Sequence, residues 1–196
     1  FRKLISVDLS PPAVRSITDI QQAIAARAAE TPRDGWITAT DYNDFYLEEQ
    51  RHPTRWDIDE VAPDLPVVLS HRSLHVCVLN SRALQLAGIT RETPEPPGAM
   101  IERDLDDGEP NGVLYEMLGH IRERVMPGWT DGELARATAL ADELYLSNGI
   151  TSLQDATVVN DHRRWLRLRH FVDNRMLHSR ISMMVGWEQM SEFREA

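Results

Sequence analysis

Two stretches of sequence decide the fold: TDGELARATALADELYLSNGITSLQD at residues 130–155 and DHRRWLRLRHFVDNRMLHSRISMMV at residues 161–185. Thr130 and Glu133 have the spacing of a capping box, in which each side chain satisfies a backbone N–H group at the start of a helix. Apolar residues then recur at helical intervals, and Asn148 precedes a glycine that permits the left-handed turn at a helix end. The first stretch therefore predicts a helix from Thr130 to Asn148.

The residues after this helix predict a strand, a second helix and a second strand. Ile150–Gln154 is a short β-prone run that ends at Asp155, Asp161–Met176 has an amphipathic pattern, and Arg180–Val185 is again β-prone. Helices and strands that alternate with short connections form βα units, whose strands lie parallel. This part of the chain predicts a parallel sheet.

The first 125 residues do not show this alternation. Their patterns predict a helix over 16–30, strands over 66–70 and 75–79, a helix over 81–87, and a hairpin of strands 100–103 and 113–116. The charge also changes along the chain, because residues 1–150 carry a net charge of −11 and residues 151–196 carry +1. We therefore expect an α/β fold in which the beginning of the chain differs from its end.

The composition argues against several classes of protein. The 196 residues carry a net charge of −10, with 31 acidic and 21 basic side chains, whereas a nucleic-acid partner requires a basic surface. Cys77 is the only cysteine, so no internal disulfide can form, and we expect a reducing compartment, the cytoplasm. The chain has no run of about 18 apolar residues, so we expect no membrane partner.

The motifs of three common enzyme classes are absent from the sequence. The chain contains no Gly-x-Ser-x-Gly, no phosphate-binding Gly-x4-Gly-Lys and no Gly-x-Gly-x-x-Gly. His71 and His75 have the i, i+4 spacing of a zinc-binding helix, but they lie among strand-forming residues, which favours a pair of loop histidines. Cys77 lies in an apolar run, which is typical of an inert core thiol.

Four polar residues lie at the ends of predicted strands. His75 and Asn80 lie on either side of one strand, Glu116 ends the hairpin, and Asp155 ends the strand after the long helix. Ligands of α/β proteins bind at the carboxyl ends of strands, which makes Asp155 a candidate site residue. A carboxylate at this position is as often the N-cap of the next helix, so both interpretations stay open.

Five short motifs follow one another in a recognisable order. They are GWI at 35–37, HPTRWD at 52–57, HVCVLNSRAL at 75–84, GEPNGVLYE at 108–116 and GITSLQD at 149–155. Their joint order and spacing resemble amidohydrolase family 3 of the amidohydrolase superfamily, the branch with N-substituted formamide deformylase-like and YtcJ-like metal-dependent hydrolases. One local departure is Ser73-Leu74-His75, where relatives often carry Asp-Gly-His.

The resemblance implies a (β/α)8 metal-dependent hydrolase barrel with a large α+β insertion after its first strand. Residues 1–125 would be the insertion subdomain. Residues 126–196 would be a partial TIM-barrel segment with a helix, the second strand, a helix and the third strand. The family's metal ligands include a His-x-His on the first strand and a carboxylated lysine on the fourth. Because this chain has no His-x-His and its only lysine is Lys3, we expect an interior fragment that binds no metal itself.

The same resemblance implies an enzyme that hydrolyses a carbon–nitrogen bond, other than a peptide bond, in a small amide-type substrate. A divalent ion, with zinc as the expected one, would activate the attacking water in the full-length protein. The fragment would be inactive alone and would supply the substrate side of the cavity. Its expected substrate-binding residues are His75, Asn80 and Trp36, and its candidate catalytic residues are Glu116 and Asp155.

Two other functions stay open. An acidic binding module without catalysis would use an aromatic surface around Trp36, Tyr42, Phe45 and Tyr46. A metal-free enzyme would use the two candidate catalytic carboxylates as general acid and general base. The truncated barrel that the resemblance implies would expose apolar strand edges and helix faces, so we also expect the chain to self-associate.

Overall fold

The computed structural model describes residues 2–193, and these residues form two compact units. The N-terminal unit comprises Ser6–Gly128. The C-terminal unit comprises residues 129–193 together with residues 2–5, which form the short helix α1 (Arg2–Ile5). The assignment of residues 1–125 to an insertion and of residues 126–196 to a barrel segment stays a prediction.

The N-terminal unit is a six-stranded mixed sheet with helices on both faces. In chain order its elements are β1 (Val7–Asp8), α2 (Ile17–Glu30), β2 (Ile37–Tyr42), a 3-10 turn (Asp44–Tyr46), α3 (Arg55–Asp59), β3 (Val67–His71), β4 (Val76–Leu79), α4 (Ser81–Ala87), β5 (Met100–Arg103), β6 (Pro110–Tyr115) and α5 (Leu118–Arg124). The strand order is β1-β2-β3-β4-β6-β5. The predicted hairpin is confirmed, because β5 and β6 pair antiparallel.

The expectation that the first 125 residues lack βα alternation is wrong. Strands β1, β2 and β3 pair in parallel and are joined through α2 and α3, so the first 71 residues contain two βαβ crossovers. The physical reason is that β1 has two residues, β2 carries polar residues on both faces, and α3 has only five residues. None of these elements is long enough or apolar enough to have a clear periodicity.

The sheet buries a different apolar layer on each face. The first layer includes Ile20 and Ile24 of α2 and Ile58 of α3, packed with Val67 and Leu69 of β3. The second layer lies under α4 and α5 and includes Val68, Cys77, Leu79, Leu114 and Ile121. Side chains of a strand point alternately to the two faces, so β3 contributes to both layers. Burial of this central strand on both sides explains its almost uniformly apolar sequence.

Asn80 joins the start of β3 to the start of α4. Its side chain is fully buried, and its Oδ1 accepts hydrogen bonds from the N–H groups of Val67 and Ala83, each at 3.0 Å. Its Nδ2 donates to the carbonyl oxygens of Ala62 and Leu65, each at 2.9 Å. A carboxamide has two donor hydrogens and two acceptor lone pairs, so these four bonds use the full capacity of the side chain.

The C-terminal unit contains a parallel βαβ element. Its elements after α1 are α6 (Asp131–Ser147), β7 (Ser152–Asp155), α7 (His162–Asp173), β8 (Arg180–Met183) and a 3-10 segment (Trp187–Phe193). Strands β7 and β8 are parallel, as the sequence predicts. The predicted capping box of Thr130 and Glu133 is also present at the start of α6. No helix in the described part of the chain is long and apolar enough to cross a bilayer.

Asp142 ties α6 to the residues that precede β8. Its side chain is buried, Oδ2 lies 2.7 Å from His178 Nδ1, and Oδ1 accepts from the N–H groups of His178 and Ser179 at 3.0 and 3.2 Å. Burial raises the pKa of Asp142, but the hydrogen bonds from His178 and Ser179 outweigh it and hold the pKa below its ordinary value. The ionised carboxylate therefore stabilises the start of β8.

We predict that Asn80→Ala destabilises the chain by about 3 kcal/mol, because it leaves two buried N–H groups and two buried carbonyl groups without their partner. Urea unfolding followed by circular dichroism measures this change. Asn174→Ala, at an exposed helix end, is the matched control and should change the free energy of unfolding by less than about 0.5 kcal/mol. Equal stabilities of the two variants would contradict the structural role of Asn80.

Candidate functional site

The carboxyl ends of three strands meet at one edge of the N-terminal sheet. Strands β2 and β3 are parallel, and β6 runs in the same direction because β4 is antiparallel to both β3 and β6. Their last residues are Tyr42, His71 and Tyr115. We call this the C-terminal edge of the sheet. In α/β proteins ligands bind outside the carboxyl ends of parallel strands.

Three non-glycine residues at this edge have left-handed backbone conformations. Asp41 has φ 72° at the irregularity between Thr40 and Tyr42, Leu74 has φ 65° in the turn between β3 and β4, and Glu116 has φ 56° directly after β6. Such conformations cost free energy in residues with a Cβ atom, and they concentrate at functional sites. Their presence at the C-terminal edge identifies this edge as the candidate functional site.

His75 and Glu116 form an exposed pair at the C-terminal edge. His75 Nδ1 lies 2.7 Å from Glu116 Oε1, and the Glu116 N–H donates to the His75 carbonyl at 2.7 Å. Their side chains are 68% and 54% exposed. A carboxylate that accepts from Nδ1–H fixes the tautomer of a neutral imidazole and leaves Nε2 as an acceptor. The pair therefore presents His75 Nε2 to a ligand.

A cluster of four rings lies at the same edge, and we call it the aromatic cluster: Tyr42, His52, His71 and Tyr115. The hydroxyl of Tyr42 lies 3.1 Å from His52 Nδ1. The ring of His52 contacts those of Tyr42, His71 and Tyr115 edge to face, with centroids 5.9, 5.6 and 6.1 Å apart. Tyr42 is fully buried, so it does not belong to the exposed aromatic surface expected for a binding module.

His71 is a neutral member of the aromatic cluster. Its Nδ1 accepts from the N–H of Ser73 at 3.1 Å, which places the ring proton on Nε2, 3.1 Å from Asp44 Oδ1. Burial lowers the pKa of His71, and the nearby Asp44 carboxylate, which raises it, does not compensate. His71 and His75 thus lie on either side of the turn between β3 and β4 and contact different carboxylates. This agrees with the expectation of a pair of loop histidines.

The two phenols of the aromatic cluster are also neutral. Burial raises the pKa of Tyr42 well above its ordinary value. Burial, together with the adjacent Glu102 carboxylate, raises the pKa of Tyr115 to about 12. Tyr115 donates to Glu102 Oε2 at 3.0 Å, and Asn111 Nδ2 donates to Glu102 Oε1 at 2.7 Å. These phenols act as hydrogen-bond donors rather than as bases.

The structure brings together two of the residues selected from the sequence and separates two others. His75 and Glu116 share the C-terminal edge, whereas Trp36 directly precedes β2 and Asn80 directly follows β4, at the opposite end of the strands. Within this unit Trp36 and Asn80 therefore lie apart from His75, and the substrate-binding roles expected for these three residues stay a prediction. Asn80 has no free side-chain atom, and Trp36 packs partly buried against the second apolar layer.

Asp155 lies in the C-terminal unit, at the carboxyl end of β7. Its Oδ1 accepts from the N–H and the hydroxyl of Thr157, at 2.9 and 2.6 Å. Burial raises the pKa of Asp155, but the two hydrogen bonds from Thr157 outweigh it, so the pKa is lowered. The N-cap of α7 is Asp161, so Asp155 stabilises the turn after β7 instead. A catalytic role for Asp155 stays a prediction.

Sequence reasoning missed most of the aromatic cluster as a site. His52 lies in the HPTRWD motif, whose sequence does not indicate a contact with Tyr42 or Tyr115. One signal in the sequence pointed to the cluster: three strands that run in the same direction each end in a tyrosine or a histidine. The expectation for Cys77 is met, because its thiol is fully buried and burial raises its pKa to about 12.

The described residues do not fit a resident metal ion. Within residues 2–193 no group of three or more His, Cys, Asp or Glu side chains is arranged to hold one. The C-terminal edge offers only two histidine–carboxylate pairs, whose Nδ1 or Nε2 atoms already face a carboxylate. Catalytic zinc sites use three protein ligands, and the described residues do not supply such a set.

Comparison with known proteins identifies relatives across nearly the whole sequence. Residues 4–195 match the amidohydrolase family. The N-substituted formamide deformylase of Arthrobacter pascens is 36% identical over 159 residues, which cover 78% of this chain and 29% of that protein. YtcJ of Bacillus subtilis, named as an amidohydrolase, is 32% identical over 149 residues, which cover 76% of this chain and 28% of that protein.

A solved structure shares the fold. An uncharacterized metal-dependent hydrolase from Pyrococcus furiosus superimposes with a TM-score of 0.62 at 23% identity, over 98% of this chain and 36% of that one. At this identity the similarity concerns the fold alone. The chain spans about three tenths of the length of the curated relatives that it matches.

We predict that the purified 196-residue chain retains far less than one equivalent of zinc after dialysis against metal-free buffer, because its described residues, 2–193, offer pairs of ligands and not a set of three. Elemental analysis by mass spectrometry measures the retained metal. His75→Ala tests whether any residual zinc is held by the exposed pair. One equivalent of zinc retained after dialysis would contradict the expectation that this chain binds no metal itself.

Proposed function

The chain belongs to the amidohydrolase family, and we propose that it forms part of a metal-dependent enzyme that hydrolyses a carbon–nitrogen bond, other than a peptide bond, in a small amide. The observation that carries this proposal is the family match over residues 4–195. The name of the Arthrobacter relative, an N-substituted formamide deformylase, supports the choice of bond. The metal-dependent hydrolase from Pyrococcus furiosus, which shares the fold, supports the metal requirement.

In this proposal the C-terminal unit is a segment of a (β/α)8 barrel and the N-terminal unit is an insertion. The parallel β7-α7-β8 element supports the first part, because a barrel of this type is built from such units. A complete barrel of about 250 residues exceeds the present chain, so the proposal places the remaining strands outside it. Zinc, as the expected ion, would be held there.

The contribution of the present chain is the binding of substrate at the C-terminal edge. With Nδ1–H directed to Glu116, His75 Nε2 can accept a hydrogen bond from the N–H of an amide. The carboxylate keeps this tautomer in place and the ring oriented. The exposure of both side chains supports this role, because it leaves His75 Nε2 accessible to a ligand.

A binding module is the second candidate, and one observation favours it. Phe45 and Tyr46 are 77% and 54% exposed, and their rings contact each other edge to face at 5.5 Å. Exposed neighbouring aromatic residues are typical of interaction surfaces. Hydrolysis of an amide by the natural protein would decide between the two candidates.

We predict that His75→Ala lowers kcat/KM of the natural metal-loaded protein about 2- to 10-fold, as the loss of one substrate hydrogen bond between neutral groups, worth about 0.5–1.5 kcal/mol, requires. The assay follows formate or acetate release from a panel of N-substituted amides. Glu116→Gln retains an acceptor and should lose less activity than His75→Ala.

The matched control is Gln85→Ala, an exposed residue on α4, which follows β4 at the opposite end of the strands. It should leave kcat/KM unchanged. A correctly folded His75→Ala protein with the activity of Gln85→Ala would contradict the proposed role of His75. Absence of amide hydrolysis in the unmodified protein would contradict the proposed function.

A further inference from the structure

The hydroxyl of Tyr42 has one partner, and this partner determines where the hydroxyl proton lies. Tyr42 is fully buried, and among the described residues its hydroxyl contacts only His52 Nδ1, at 3.1 Å. If Nδ1 carried the proton, the Tyr42 hydroxyl hydrogen would be buried without an acceptor, at a cost of about 1–3 kcal/mol. The Tyr42 hydroxyl therefore donates to Nδ1.

This hydrogen bond fixes the tautomer of His52. A neutral imidazole that accepts at Nδ1 carries its proton on Nε2. The surrounding rings of Tyr42, His71 and Tyr115 hold the ring of His52 in place. Within the described part of the chain no group accepts from His52 Nε2. His52 is thus an oriented N–H donor without a protein acceptor, at the same edge as His75.

The charges around His52 select the kind of acceptor. The neighbouring carboxylates are Asp44, which faces His71, and Glu102, which accepts from Tyr115 and Asn111. His71 is neutral for the reason given above.

Two arginines also lie nearby. Arg51 donates to the His52 carbonyl at 3.0 Å but is paired with Asp57 at 2.7 Å. Burial and, to a smaller extent, Arg72 lower the pKa of His71. An anionic ligand would still meet the carboxylates of Asp44 and Glu102, whereas an uncharged carbonyl oxygen would meet no such repulsion.

We propose that His52 is a second ligand-binding residue of the C-terminal edge, which donates from Nε2–H to an uncharged carbonyl oxygen, and that Tyr42 is the positioning residue that sets its tautomer. This inference rests on the proposed function, because it deepens the description of the same site. His52 supplies a donor and His75 an acceptor. The two polarities match the carbonyl and N–H groups of an amide.

The first experiment reads the tautomer directly. Long-range 1H–15N correlation spectra of the histidine-labelled chain distinguish Nε2–H from Nδ1–H imidazoles. We expect His52 to be the Nε2–H form, and we expect Tyr42→Phe to shift it towards a mixture of both forms. Tyr115→Phe is the matched control, because its hydroxyl bonds to Glu102 and not to a histidine, and it should leave the His52 tautomer unchanged.

An Nδ1–H tautomer of His52 in the unmodified chain would overturn the inference. The inference would also be overturned if the Tyr42→Phe variant gave the dispersed spectrum of a folded protein and its His52 tautomer were unaltered. Because the first of these readings needs no substitution, the inference stays falsifiable even if Tyr42→Phe fails to fold.

The second experiment tests the ligand. N-methylacetamide titrated into the labelled chain should produce a saturating shift of the His52 Nε2 resonance, and acetate at the same concentration should not. No shift with the amide, or an equal shift with acetate, would overturn the inference. In the natural enzyme we expect Tyr42→Phe to raise KM about threefold with kcat retained. The reason is that a substrate contact weakened equally in the ground state and in the transition state changes KM and not kcat. Full activity in His52→Phe, which keeps a ring but has no N–H donor, with loss in His75→Ala would refute this inference while leaving the proposed function intact.

Discussion

The register of β3 between β2 and β4 is the constraint on which the candidate site depends. Every residue of a strand changes face when its pairing slips by one position. In the observed register Val67 and Leu69 enter one apolar layer and Val68 enters the other, while Tyr42 stands opposite His71. Because both faces of β3 are apolar, its burial pattern alone does not fix this register. The hydrogen bond from the Val67 N–H to Asn80 holds the start of β3 and thereby determines where His71 lies.

Several polar groups of the C-terminal edge pair with one another, although His71 Nε2 and Thr40 Oγ1 are buried without a hydrogen-bond partner among the described residues. Buried hydroxyl and imidazole groups cost free energy unless they are hydrogen-bonded. Tyr115 bonds to Glu102, Tyr42 to His52, and His71 faces Asp44. After these pairings the Nε2 atoms of His52 and His75 stay available to a ligand. The left-handed residues at the same edge indicate that the fold holds these groups against a local conformational cost.

The sequence predicts the elements whose patterns are strong and local. The capped helix α6, the β5–β6 hairpin and the parallel β7–β8 pair follow from capping residues, turn residues and alternation. Strands β1 and β2 are missed, because two residues, or a polar run such as ITATDY, have no decisive period. Glu116 and His75 could be selected as strand-end residues. The aromatic cluster could not, because its members come from four separate segments and meet only through tertiary pairing.

A crystal structure of the natural metal-loaded enzyme with a non-hydrolysable amide analogue tests the central claim most directly, namely that the C-terminal edge of the N-terminal sheet binds the substrate. The account predicts that the amide group lies within hydrogen-bond distance, about 3 Å, of His75 Nε2. An analogue bound in the active site with the C-terminal edge remote from it, or covered by another part of the protein, would contradict the account.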